Sequence, residues 1–384
     1  MAVKRQPIRV GVIGAGNIAT LGHIPGLRRT RDAEVVAICD QDLTRANDVA
    51  ARLRIGAAYD DHRRMLGEVP LDAVTVATPP SGHAPVVLEA LRVGVHVLCE
   101  KPLATNLSDA ERMVEAADRA GVILAMNMQF RMLRETMALR SAVESGHLGR
   151  VHYAHIRYLR HDFPPRPGSW TTERRLSGGG ALSDMGPHVI DLALWLCGAS
   201  SARSVEAHMH PTAPRGSDVG ARASEPLVED FASLRLRLDT GATAVVECSW
   251  RFPGTDESRI QLVGDRGGGD VSVWAGGRTA PLRFFTQAQD DEPPASGGPQ
   301  PPDASVRLPS LAFATGATWR PQPRRARLWY ASMASFVAAI RGQAPPVATG
   351  RDGLAVQQVL DAAYRSAATA RRVSILRRGP KPGP

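Results

Sequence analysis

Short β-branched runs alternate with helically spaced segments through the first third of the chain. IRVGVIG (8–14) is apolar on both faces, as a strand buried in a parallel sheet must be. GAGNIA follows at once, and helical spacing continues to about Arg29. EVVAICD (34–40), DAVTVAT (72–78), VHVLCE (95–100) and residues 122–127 repeat the strand pattern, while residues 43–54, 83–94 and 108–120 repeat the helical one. Strands and helices trading places at this interval predict βαβ crossovers and a parallel sheet.

The alternation stops near residue 128. Beyond a helix at 133–145, strands are expected at 150–160, 202–209, 228–238, 242–250 and 258–264, several with period-two patterning. A helix at 187–198 lies among them, and helices at 328–342 and 353–371 close the chain. Segments 211–226 and 276–327, the second rich in Pro, Gly and Ser, read as irregular excursions. The expected organisation is an α/β domain over 1–128 and an α+β domain over 129–384 built on a large, mainly antiparallel open sheet.

Composition narrows the function classes. A chain of 384 residues fits two domains, at about 150 residues each. With 43% apolar and 22% charged residues, wholesale disorder is excluded. No run approaches the roughly 18–20 apolar residues of a membrane span, and a strand beginning at Ile8 leaves no room for a signal peptide. Cys39, Cys99, Cys197 and Cys248 are scattered, which argues against a CxxC motif or a zinc site and fits the cytoplasm; no metal is expected. The net charge of +9 would suit nucleic acid, but the charge gathers at Arg324 to Arg327 and in the tail, without interleaved aromatics. A basic surface that aids solubility or attracts an anionic substrate is the simpler account.

Three clusters carry chemistry. Gly14, Gly16, Asn17, Ile18 and Ala19 form a G-x-G-x-x-A fingerprint between a strand and a helix. Gly14 permits the tight turn, Gly16 admits a pyrophosphate, and the helix N-terminus faces its charge. Asp40 ends the second strand, where a carboxylate accepts bonds from ribose hydroxyls and repels a 2′-phosphate. NAD is therefore expected, with NADP as the alternative because Arg45 lies nearby; Asp40 could instead cap a turn. The second cluster is Glu100-Lys101-Pro102, at the carboxyl end of a strand, where ligands of open α/β sheets bind. Of 47 basic residues only Lys4, Lys101 and Lys381 are lysine, so Lys101, the one internal lysine, is a candidate for proton transfer, the competing role being a surface lysine paired with Glu100. The Lys101–Pro102 bond is a candidate for the cis form. The third cluster is Asp184, His188 and Asp191, which share a face if helical, although Pro187 favours a helix starting there. A histidine beside a carboxylate suits proton transfer; the competing role is a filler at a helix–sheet interface.

These residues resemble the Gfo/Idh/MocA oxidoreductases, the family of glucose–fructose oxidoreductase and inositol dehydrogenase. The likeness runs through IRVGVIGAGNIA, TPPSGH (78–83), HVLCEKPLATN (96–106), GGGALSDMGPHVIDLALWL (178–196) and DGLAVQQVLDAAYRSA. It implies a Rossmann domain followed by an open sheet with helices on one face, the other face forming a homodimer or homotetramer interface. The outer strand positions are expected to be apolar in keeping with that. The resemblance further implies Lys101, His188 and Asp184 as the catalytic set, and Thr78, Pro79, His83, Glu100 and Asn127 near the cofactor. Trp170 would line the substrate pocket, with Asp191 as a further substrate contact. Asn127-Met128-Gln129-Phe130 departs from the family's Asn-Arg-Arg-Phe, leaving the contacts of those arginines without a counterpart. The expected partner is a small sugar, cyclic polyol or derivative, and neither nucleic acid nor membrane. An NAD-dependent dehydrogenase or reductase leads. A glycosidase or epimerase using transient oxidation shares every motif, and a non-catalytic sensor would not need the proton-transfer set.

Overall fold

The computed structural model describes residues 6–161, 163, 165–166, 169–211, 228–273, 282–286 and 324–375. The first unit contains strands β1 (Ile8–Ile13), β2 (Ala33–Cys39), β3 (Ala57–Tyr59), β4 (Ala73–Val76), β5 (His96–Cys99) and β6 (Leu124–Met126). All pair in parallel in the order β3-β2-β1-β4-β5-β6. Helices α1 (Ile24–Arg29), α2 (Leu43–Leu53), α3 (His62–Glu68), α4 (His83–Arg92) and α5 (Leu107–Ala120) make the crossovers, and a π-helical turn at Ala19–His23 leads into α1. The strand order reverses between β1 and β4, so their carboxyl ends open into a crevice. Both β3, three residues long, and the short α3 escaped the sequence pattern, which has too few positions there to define a period.

The second unit runs through α6 (Arg134–Glu144), β7 (Val151–Leu159), α7 (Arg174–Ser177), α8 (Ala181–Asp184), α9 (Gly186–Leu196), β8 (Ala202–His210), β9 (Phe231–Leu238), β10 (Thr243–Ser249), β11 (Glu257–Gly264), β12 (Gly267–Ser272), β13 (Arg283–Thr286), α10 (Arg324–Ile340), α11 (Gly350–Thr369) and β14 (Val373–Ser374). The sheet order is β13-β12-β11-β7-β10-β9-β8-β14, and only β7 and β10 pair in parallel. Most of the two expected irregular segments lies outside the described residues, although β13 falls within the second.

One face of this sheet buries Ala154, Ile156, Leu234, Leu236, Ala244, Val246, Ile260 and Leu262, and α9 and α11 pack with it in a shared core. The opposite face corrects the expectation of apolar outer positions. It carries a charge ladder: Glu247 accepts from His155 and Arg157 at 3.0 Å each, and Arg157 also reaches Glu257 at 3.0 Å. On β11 and β12, Arg259 grips Asp270 with two bonds.

Helix α10 follows the second sheet in sequence but packs against the first unit. Met333, Phe336 and Val337 share a core with Val10, Val12 and Leu27. Gly22 and Gly26 permit the approach, since a Cβ at either would stand 2.8 Å from Trp329 or Met333. Ala348 then accepts from Met126 N at 3.0 Å, fastening the return to β6. The packing of the first unit is therefore completed by α10 and the return segment.

Candidate active site

The crevice is built first by the glycine-rich turn after β1. Gly14 has φ +99°, and a Cβ there would lie 2.6 Å from the Ala77 carbonyl group, so only glycine fits. Gly16 differs: a Cβ would meet nothing within 4 Å, and Gly16, Asn17 and Ile18 are all exposed. That open ground above a helix start is the shape a pyrophosphate requires. Asp40 Oδ2 accepts from Ala15 N at 2.8 Å, tying the end of β2 to the turn. Its Oδ1 accepts from Asp42 N at 3.0 Å and Arg45 at 3.3 Å. Asp40 thus fills the turn-capping role and still fronts the crevice, while Arg45 is shared with Asp42 at 3.2 Å.

Glu100 follows β5 and is nearly buried. His23 stands 2.9 Å from its Oε1, Asn127 Nδ2 donates to the same oxygen at 2.5 Å, and Lys101 N lies 3.2 Å from Oε2. Burial opposes ionisation, but His23, Asn127 and Lys101 outweigh it and hold the Glu100 pKa at about 2. Asn127 Oδ1 in turn accepts from Ser332 of α10 at 2.6 Å. The Lys101–Pro102 peptide is cis, as its sequence position suggested.

Lys101 Nζ donates to Asp184 Oδ1 at 2.7 Å and to Asp184 O at 2.6 Å, leaving one of its three protons unassigned. Trp250 Nε1 donates to the other carboxylate oxygen at 3.1 Å. Burial alone would lower the Lys101 pKa, yet Asp184 and Glu100 raise it above its ordinary value, so the ammonium is charged at neutral pH. Asp184 shifts the opposite way: burial raises it, and Lys101 and Trp250 bring it below the usual range. As Pro187 implied, α9 begins beside it, with Asp184 closing the preceding turn.

His188 is 5% exposed and stacks on Phe130, centroids 4.2 Å apart at 15°. Its Nδ1 is buried without a hydrogen-bond partner among the described residues. Burial first, then the Lys101 charge, lowers its pKa to about 3 against the pull of Glu100 and Asp184, so the ring is neutral.

Four expected contacts change. Asp191 is not a pocket residue: it is 1% exposed and holds Arg131 through two bonds of 2.6 and 2.8 Å. A carboxylate one turn past His188 points toward α6, and the arginine beside it satisfies both oxygens. His83 is wholly buried, with Nδ1 2.8 Å from Pro102 O and Nε2 3.0 Å from Thr78 O. Asn127 is equally buried. Both brace the turns after β4 and β5 from behind. Glu100 has both carboxylate oxygens committed inward in the same way. Thr78 and Pro79 remain partly exposed. Trp170, in a short turn at Trp170–Thr172, is 41% exposed.

The donor set, the open ground over Gly16 and the carboxylate at the end of β2 all fit a dinucleotide. A family model described as oxidoreductase family, NAD-binding Rossmann fold, matches residues 8–128, and one for the Gfo/Idh/MocA C-terminal domain matches residues 136–269. The chain belongs to the Gfo/Idh/MocA oxidoreductases. D-glucoside 3-dehydrogenase of Escherichia coli K12 is 29% identical over 380 residues, covering 97% of this chain and 99% of that protein. Myo-inositol 2-dehydrogenase of Thermotoga maritima is 32% identical over 260 residues, covering 68% and 74%. The WlbA dehydrogenase from Bordetella pertussis, crystallised with NADH and UDP-GlcNAcA, superposes with a TM-score of 0.74 at 25% identity, covering 97% and 99%. This Gfo/Idh/MocA chain accordingly has an NAD-binding Rossmann domain and a mainly antiparallel second domain, and is an oxidoreductase of a sugar and polyol family.

Sequence reasoning missed Trp250, Phe130, His23, Ser332 and Arg131. Arg131 had a signal: an arginine inside the apolar run Phe130-Arg131-Met132-Leu133 needs a buried partner. Trp250 and Ser332 had none, because only the tertiary fold brings them to Asp184 and Asn127.

Proposed function

We propose that this enzyme is an NAD-dependent dehydrogenase or reductase acting on a secondary ring hydroxyl, or the matching ketone, of a sugar, cyclic polyol or derivative. The observation that carries it is the charged Lys101–Asp184 pair set beside a neutral His188, whose Nδ1 has no hydrogen-bond partner among the described residues, at the carboxyl edge of the first sheet. Bound NAD would supply the hydride acceptor, its pyrophosphate over Gly16 and its adenosine ribose at Asp40. Lys101 has one N–H left to donate to the reacting oxygen. Its charge lowers the pKa of a hydroxyl bound there, which eases loss of the hydroxyl proton as hydride leaves. Neutral His188 accepts the hydroxyl proton in oxidation and returns it in reduction. Asp184, anchored by Trp250, holds Lys101 in place and offers its remaining lone pairs to a neighbouring hydroxyl. A ligand with several adjacent hydroxyls satisfies this set, whereas a simple alcohol leaves groups unpaired at about 1–3 kcal/mol each. The relatives named for glucosides and myo-inositol support the same substrate class.

A cytoplasmic location is our reading, supported by four buried, free cysteines. Among the described residues no helix is long and apolar enough to cross a membrane. Assembly as a homodimer or homotetramer through the outer face of the large sheet follows from the family resemblance. The deciding experiment incubates NAD with glucosides, inositols, hexoses, sugar acids and nucleotide sugars, following absorbance at 340 nm and product mass. NADH accumulating with a cyclic hydroxylated substrate is the expected result. Cleavage or inversion without net NADH, or bound NAD with no reaction across the panel, would overturn it.

A further inference from the structure

His188 lacks the support that commonly orients a proton-transferring imidazole, a hydrogen bond from its second ring nitrogen to a carboxylate or carbonyl. Its Nδ1 is buried and has no partner among the described residues. The carboxylate one turn further along α9, Asp191, is spent on Arg131. The χ2 torsion of histidine is broad by itself, so another contact must fix the plane of the ring.

Phe130 supplies that contact. Its ring lies 15° from parallel to the imidazole with centroids 4.2 Å apart, and it is 5% exposed. Tyr158 of β7 meets Phe130 edge-on at 5.5 Å and 69°. Phe130 belongs to the turn Gln129–Met132, where its carbonyl accepts from Thr136 Oγ1 at 2.7 Å. The next residue, Arg131, grips Asp191, so this turn is fastened to α9 at two consecutive residues. Sliding the stack would mean breaking a buried ion pair. An aromatic face also acts differently from a carboxylate: it fixes the plane and keeps water from one side, but adds no negative charge to stabilise an imidazolium. The charged groups that face the ring are Lys101, Glu100 and Asp184, and its low pKa of about 3 agrees with such surroundings.

We propose that Phe130 is the positioning residue of His188, holding the imidazole plane toward the reacting hydroxyl and keeping water off its face in place of a hydrogen-bonded orienter. This rests on the reading of His188 as the proton acceptor.

Phe130→Met tests it, because methionine fills the space flexibly without a planar face, and Phe130→Leu is a second, smaller replacement. Both should lower kcat about tenfold or more and leave NAD affinity within about twofold, since a small misplacement of an acid–base group is enough. The acid limb of kcat/KM should rise to about pH 5–6 as water reaches the ring, with Lys101 holding it below the ordinary value. In histidine-labelled wild-type protein, the His188 ring protons, assigned by their loss in His188→Asn, should resonate upfield under the Phe130 ring. They should move downfield in both Phe130 variants. Leu236→Ala, a buried truncation in β9, should leave the limb and the ring signals in place. Wild-type kcat and acid limb in both Phe130 variants, or wild-type His188 protons at ordinary shifts, would overturn the positioning role. The same changes in Leu236→Ala would overturn it equally, by reducing it to a general effect of stability. Turnover retained in His188→Asn would instead overturn the reading of His188 itself.

Discussion

Lys101 stands where one residue type does a task that no other cation can. Its two bonds to Asp184 occupy a compact ammonium, and the planar guanidinium of arginine does not match that geometry. Lys101→Arg is expected to lower kcat about 10²–10⁴-fold while NAD affinity stays within a few-fold, as measured by turnover and by cofactor titration. At Asp40 the expectation concerns cofactor choice. NAD should bind more tightly than NADP, and Asp40→Ser should narrow the difference about tenfold, because it removes a repelling charge and frees Arg45 for a 2′-phosphate. Equal affinities before any mutation would refute the assignment. The pH response follows from His188 and the groups facing it, Lys101, Glu100 and Asp184. With His188 protonating only near pH 3 and Lys101 deprotonating above its ordinary value, kcat/KM should show no acid limb near the usual histidine pKa. A limb centred at about pH 6.5 would disprove a neutral, depressed His188. His62, His83 and His96 shift in the same direction. A depressed pKa contributes stability above the unfolded value and loses it as pH falls, so melting temperature should already drop between about pH 6.5 and 5.

At the scale of elements, the parallel alternation, the period-two strands, the glycine turn and the start of α9 at Pro187 were legible because each is a local pattern. The three-residue β3 was not, and neither was the direction of Asp191. Helical spacing places it on the His188 side, but Arg131 lies on a short turn before α6 whose position the pattern does not encode. That pair is buried on both sides, and Arg131 also reaches Asp352 at 3.0 Å and Val347 O at 2.8 Å, joining α9, α11 and the return segment. Burial pushes the Asp191 pKa up, with Arg131 only partly offsetting it. Asp191→Asn should cost about 3–5 kcal/mol in urea unfolding, since it leaves a buried guanidinium short of its counter-charge. Arg131→Met with Asp191→Leu should cost less than either single change, as expected when a buried pair fixes geometry more than it stabilises.

At the scale of the molecule, the outer face of the large sheet is a set of internally satisfied ion pairs, so an interface there would be polar. Assembly should therefore weaken with salt. Light scattering at micromolar concentration is expected to give a dimer or tetramer at low ionic strength, shifting toward smaller species as salt rises. A monomer throughout would remove that face from consideration. The sequence could show that these strands alternate, but not that their outer residues neutralise each other across β7, β10 and β11. That pairing is a property of register, which depends on which strands become neighbours.

Helix α10 makes the nucleotide-binding unit depend on residues that the ribosome adds long after that unit's own strands. While the first 128 residues emerge, the hydrophobic face that will receive Met333, Phe336 and Val337 stays bare, and Asn127 lacks Ser332. Vectorial synthesis thus delivers a nearly complete cofactor fold whose final wall arrives some two hundred residues later. In the interval that apolar face is open to water, and nucleotide affinity becomes a measure of whether α10 has been made.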